Sequence, residues 1–149
     1  MRILLISLFF ISFQSFGSDE LFKELNDFDV SSLNQKIKAR LHYKSKKTEK
    51  LLETNRSIEN LLDKKSFYLG DLEHFSVELI KTSKSVDHLG RIFWEGRVKG
   101  DRKSYAVLLY NKKRKTLSAQ ITYGNKSFTI TALGESIVSA RKMEKTPAE

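Results

Sequence analysis

The chain has 149 residues, with 27 Lys and Arg against 18 Asp and Glu, a formal net charge of +9 and no cysteine. Without thiols it can hold neither a disulfide framework nor a thiolate metal centre, so stability has to come from a hydrophobic core and backbone pairing. The size suits a single domain, and the basic excess favours acidic partners, although it is distributed along the chain rather than gathered in one tail.

Met1 and Arg2 form a short positive start, Ile3 to Phe13 an apolar run, and Ser15-Phe16-Gly17 a small-x-small site before the charged Ser18-Asp19-Glu20. This is the pattern of a secretory signal peptide, residues 1–17, cleaved after Gly17. The competing reading is an uncleaved anchor, but the run is shorter than the ~20 apolar residues that cross a bilayer, and no second apolar run follows. The expected product is a secreted or periplasmic monomer with no membrane span after signal cleavage.

Residues 18–65 are rich in Leu, Lys, Glu and Asn and are expected to form a helical or mixed N-terminal segment. Leu21, Leu25 and Phe28 recur at four and three and predict a short helix, with a frayed terminus as the alternative. Gln35 to Lys44 alternates Ile37, Ala39, Leu41 and Tyr43 with basic residues and His42, which predicts a half-buried strand. A helix competes there, because Leu33, Ile37 and Leu41 also fit i, i+4, i+8 and Ser32-x-x-Gln35 matches a capping box. Thr48 to Asp63, carrying Leu51, Leu52, Ile58, Leu61 and Leu62 without a breaker, predicts an amphipathic helix.

Residues 66–149 read differently, with turn chemistry repeating between short apolar alternations. Strands are expected over Phe75 to Lys81, Arg91 to Val98, Ser104 to Tyr110, Thr116 to Tyr123, Ser127 to Leu133 and Ser136 to Arg141. The strand from Ser104 offers two apolar faces, Tyr105, Val107 and Leu109 or Ala106, Leu108 and Tyr110, so both are expected to be covered. The predicted fold class is α+β, mainly β: short N-terminal helices, then an antiparallel β-meander of five to six strands, with residues 18–149 making one compact domain.

The chain has three histidines, His42, His74 and His88, and they are too far apart to form a zinc-binding helical pair. No G-x-S-x-G elbow and no phosphate-cradling glycine loop occurs. Glu73 with Glu78, and Glu95 with Asp101, are the carboxylate pairs that spacing leaves open as acid–base partners. No catalytic residue, metal or cofactor is assigned, and an enzyme is not expected. Among the basic clusters, Lys112, Lys113, Arg114 and Lys115 form a hairpin tip; it reads either as a solubility device or as an anion-binding site. Nucleic acid is not expected, because the aromatic residues fall mostly on the inward alternation rather than among the lysines.

An ordered series runs through the second half: Phe67-Tyr68-Leu69, Phe75-Ser76-Val77, Gly90 to Val98 with Trp94-Glu95-Gly96, Ser104 to Leu108, Leu117 to Ile121, Phe128-Thr129-Ile130 and Lys145-Thr146-Pro147-Ala148-Glu149. It resembles the propeptide domain that precedes the catalytic domain of secreted zinc metalloendopeptidases of the peptidyl-Asp and reprolysin-like kind. The resemblance covers residues 66–149, and the metal-binding helix of those proteases does not occur in this sequence. It implies a non-enzymatic module that binds and masks, or assists folding of, a secreted zinc metallopeptidase in trans. The candidate partner-binding residues are Trp94, read either as a contact anchor or as core, and the carboxylates Glu144 and Glu149 near the exit tail. The rival readings are an exported binder of anionic polymer through Lys112 to Lys115, and a structural adaptor of the envelope.

Overall fold

Apolar and polar residues alternate along the chain from Arg91 onward, and each alternation becomes a strand whose apolar half turns inward. The computed structural model describes residues 19–25, 33–44, 49–73 and 77–144. The expected signal peptide and residues 145–149 lie outside these.

The strands are β1 (Glu20–Glu24), β2 (Glu49–Thr54), β3 (Ser66–Gly70), β4 (Glu78–Val86), β5 (Arg91–Val98), β6 (Tyr105–Asn111), β7 (Thr116–Tyr123), β8 (Lys126–Gly134) and β9 (Ile137–Glu144). Among the described residues, two helices, α1 (Gln35–Lys44) and α2 (Ile58–Asp63), interrupt them. The sheet is a closed barrel in the order β1-β2-β9-β8-β7-β6-β5-β4-β3. From β3 to β9 consecutive strands pair antiparallel, and β2 joins the far edge antiparallel to β9. β1 bridges the gap, antiparallel to β2 and parallel to β3, with Phe22 opposite Gly70.

The expected α+β fold, short N-terminal helices followed by an antiparallel meander of five to six strands, is therefore corrected to an all-β closed barrel with nine strands among the described residues. The difference lies in residues 18–65. The predicted helix stripe at Leu21 falls on strand β1, where the consecutive Leu21 and Phe22 point to opposite faces and are both buried. Phe28 lies outside the described residues. The predicted helix from Thr48 to Asp63 divides into β2 and the short α2, and Asn55 marks the break. Its side-chain oxygen accepts the Ser57 N–H at 2.8 Å, while its amide donates to the Glu20 carbonyl of β1 at 2.8 Å. Residues 35–44 take the competing helical form. Asn34 starts that helix, its side chain accepting the Lys36 N–H at 2.9 Å and its carbonyl the Ile37 and Lys38 N–H groups.

Register fixes what is inside. Across β5 to β9 the row Trp94, Leu108, Ala119, Ile130, Ala140 faces inward, and all five are buried. One residue along each strand, the row Glu95, Val107, Gln120, Thr129, Arg141 faces outward. The apolar interior and largely polar exterior invert the pattern of a barrel that faces lipid. Helix α2 lays Ile58, Leu61 and Leu62 into the same core, and α1 lies against β8, where Ile37 meets Gly134. Each fully buried large apolar side chain adds roughly 1.5–3 kcal/mol from area removed from water.

Candidate functional site

Trp94, a candidate contact residue, is wholly buried, its ring 5.0 Å from that of Phe67 and tilted by 50°. Its indole covers Gly96, where a Cβ would collide with the ring and with the Ile80 carbonyl. The Trp94-x-Gly96 pattern is thus a packing device: side chains at i and i+2 share a face, and only glycine leaves room for the indole. The Trp94 Nε1–H finds no hydrogen-bond partner among the described residues. The adjacent Phe93 takes the outward position and is 37% exposed.

Phe93 does not stand alone. On the outer face of β6, Tyr105 and Val107 are 44% and 41% exposed, with the half-buried Leu109 opposite Phe93. The two apolar faces of β6 were both expected to be covered. Only Ala106, Leu108 and Tyr110 are, while the other face borders Phe93 across the β5–β6 ladder and stays open. Alternation alone reads both faces of β6 as core, and the two-sided apolar pattern is the one signal of this patch that the sequence carries.

The strand edges offer less. β3 pairs with β4 only as far as Ile80, whereas β4 continues along β5 to Val86. The overhang carries a bulge between Lys81 and Ser83, and Lys84 folds back to an ion pair with Asp63 of α2. Bulges and lysines of this kind protect an edge from pairing.

The basic hairpin tip between β6 and β7 stands at the barrel end that carries α2. Lys112 Nζ lies 2.8 Å from Glu59 of α2, and Lys115 Nζ lies 3.0 Å from Glu135 in the β8–β9 turn. These carboxylates hold both ammonium groups above their ordinary pKa. Lys113 and Arg114 point to solvent with no ion-pair partner among the described residues. Beneath the tip opens a cleft of about 590 Å³, lined by Arg56, Glu59, Tyr110, Lys115, Glu135 and Ser136 among others. Burial, then the nearby Glu59, raises the Tyr110 phenol pKa, so the group stays protonated. Glu144 ends β9 opposite Lys126, and Glu149 lies outside the described residues. Trp94 and the hairpin tip do not form one site: the first is sealed in the core, and the second rims the cleft.

At the opposite end of the barrel the Glu73 carboxylate is only 6% exposed and lies 3.1 Å from Lys126 and 4.0 Å from Lys142. Tyr123 stacks on Phe128 with its hydroxyl buried and without a partner among the described residues; burial first, then Glu73, raises its pKa. The open carboxylate pairs separate by partner: Glu73 to Lys126, Glu78 to Lys99 and Ser66, Glu95 to Ser83, Asp101 to the β5–β6 turn. His88 is exposed in the β4–β5 turn, His74 lies outside the described residues, and no group of three or more metal-ligating side chains occurs among the described ones. No helix among them is long and apolar enough to cross a membrane.

No protein-family model matches the chain, and no curated protein does. Among solved structures, the chain resembles one from "Structure of a chaperone-substrate complex", with a TM-score of 0.54 and 13% identity. The likeness covers 88% of this chain and 97% of that one, and at this identity it is a likeness of fold.

Proposed function

We propose that the chain is a non-enzymatic protein-binding module that docks its partner on the outer face of β5 and β6. The observation behind this is the set of exposed apolar side chains Phe93, Tyr105 and Val107 on neighbouring strands, with Glu95 set among them opposite Val107. Nothing in the core requires those positions to be apolar, and clustered exposed aromatic and β-branched residues suit the centre of an interface. A barrel closed on itself leaves little strand edge, so recognition runs through a face rather than by strand addition. The partner class is the one that the propeptide resemblance implies, a secreted zinc metallopeptidase masked or helped to fold in trans. A chain of similar fold from a chaperone–substrate complex is in keeping with work on polypeptides.

The polyanion reading is weaker, because an anion that took Lys112 and Lys115 would leave the adjacent Glu59 and Glu135 carboxylates facing it without counter-charge. Titration of the mature protein against a secreted H-E-x-x-H peptidase from the same source, and against DNA, at low and high salt separates the two. Apolar docking predicts peptidase binding that survives salt, whereas counterion release makes polyanion binding fall steeply. Tight, salt-sensitive DNA binding with no peptidase binding would overturn the proposal.

A further inference from the structure

The cleft under the β6–β7 hairpin is a second feature, independent of the β5–β6 face. Its volume, about 590 Å³, lies in the small-molecule range. Its walls are polar and carry three ion pairs, Glu53 with Arg56 at 3.7 Å, Glu59 with Lys112 at 2.8 Å and Glu135 with Lys115 at 3.0 Å. Positive and negative groups are therefore matched, and the wall as a whole has no excess of either sign.

Its backbone is also held in an uncommon form. Lys115, at φ 51°, and Ser136, at φ 58°, are non-glycine residues in the left-handed region, and both line the cleft. They are joined directly: the Ser136 N–H donates to the Lys115 carbonyl at 3.0 Å, and the Ser136 carbonyl accepts the Thr54 N–H at 2.9 Å. Such conformations persist where surrounding structure enforces them and gather at ligand sites. Here they tie the β6–β7 tip, the β8–β9 turn and the end of β2 into one fixed rim.

The matched charges decide what can enter. The Lys112–Glu59 and Lys115–Glu135 pairs are about half exposed, with side-chain exposures of 48% and 44%, and 61% and 65%. Exposed pairs of this kind add little stability, so opening one costs little. An anion would take the lysines and leave Glu59 and Glu135 without counter-charge; a cation would do the reverse. A neutral polyol would separate the pairs and replace neither charge. A ligand carrying one ammonium and one carboxylate replaces each half of an opened pair, and the protonated Tyr110 phenol at the cleft adds a neutral hydrogen-bonding group.

We propose that this cleft binds a small zwitterion of amino-acid or short-peptide size, its ammonium held by Glu59 or Glu135 and its carboxylate by Lys112 or Lys115. The probe is diglycine, titrated into the isotope-labelled mature protein and followed by NMR, beside N-acetyl-diglycine, diglycinamide and glucose. Diglycine should shift the Lys115, Ser136 and Arg56 amides saturably. Each singly charged analogue should bind at least roughly ten-fold more weakly, because one wall charge is left unpaired. Glu59→Gln with Glu135→Gln should weaken diglycine to a similar degree while amide signals from the interior strands stay in place. The proposal is overturned if N-acetyl-diglycine binds as well as diglycine, if glucose competes, or if no probe shifts the rim. Since Phe93, Tyr105 and Val107 take no part, failure here leaves the docking proposal standing, and the reverse holds too.

Discussion

At the scale of single residues, the Trp94–Gly96 pair shows how a short sequence pattern specifies packing. The indole fills the space beside the i+2 glycine, and the ring of Phe67 meets it from β3, joining β3 and β5 through the interior. A methyl group on Gly96 would have to displace Trp94 or the β4 backbone, so Gly96→Ala should destabilise by about 1–3 kcal/mol through overpacking. Trp94→Ala, which leaves a cavity, should cost ~3–5 kcal/mol. Trp94→Phe should cost clearly less, since it keeps most of the ring and removes a buried N–H with no partner. Urea melts of the three variants check this order; a parent-like Gly96→Ala would contradict the packing account.

At the scale of elements, legibility follows the sequence distance between partners. β5 to β9 pair with their chain neighbours across short turns, so alternation and turn residues located them to within a few positions. β1 and β2 owe their form to distant strands, β3 and β9, and carry little alternation of their own. In β1 both faces are buried, which to a reader of periodicity is a helix stripe as much as a strand. The polar run Thr54-Asn55-Arg56-Ser57 held the missing clue in residues 48–63: such a cluster between apolar stretches signals a turn, and here Asn55 also binds β1. The cleft was partly legible, since the hairpin cluster supplied Lys112 and Lys115. Glu59 and Glu135 were not, because they reach the tip only once the barrel closes.

For the whole molecule, ion pairs between elements join the strands around the barrel, and their titration gives a pH profile. Hydrogen bonding to Lys84 holds Asp63 below its ordinary 3.8, and hydrogen bonding to Lys99 holds Glu78 below 4.5. A depressed carboxylate stabilises the fold above its unfolded pKa, and that contribution fades as pH falls through the folded value. Lys99, Lys112 and Lys115 are raised above 10.5 by Glu78, Glu59 and Glu135, so their contribution is complete below the unfolded lysine pKa and fades as pH rises through the folded one. The urea midpoint should therefore be level near neutrality and fall on both flanks. Asp63→Asn with Glu78→Gln should flatten the acid limb, and an unchanged acid limb in that variant would contradict the assignment.

Docking on the outer face of β5 and β6 is the central claim. Calorimetry with a Tyr105→Ser, Val107→Ser variant against a secreted H-E-x-x-H endopeptidase from the same source, the partner class proposed above, tests it most directly. Both side chains point outward from an intact barrel, so the variant should melt with the parent, each change being within ~0.5 kcal/mol. Its affinity should fall by roughly ten-fold or more, as when residues at the centre of an interface are truncated. A variant that melts with the parent and also binds as tightly as the parent would contradict the claim.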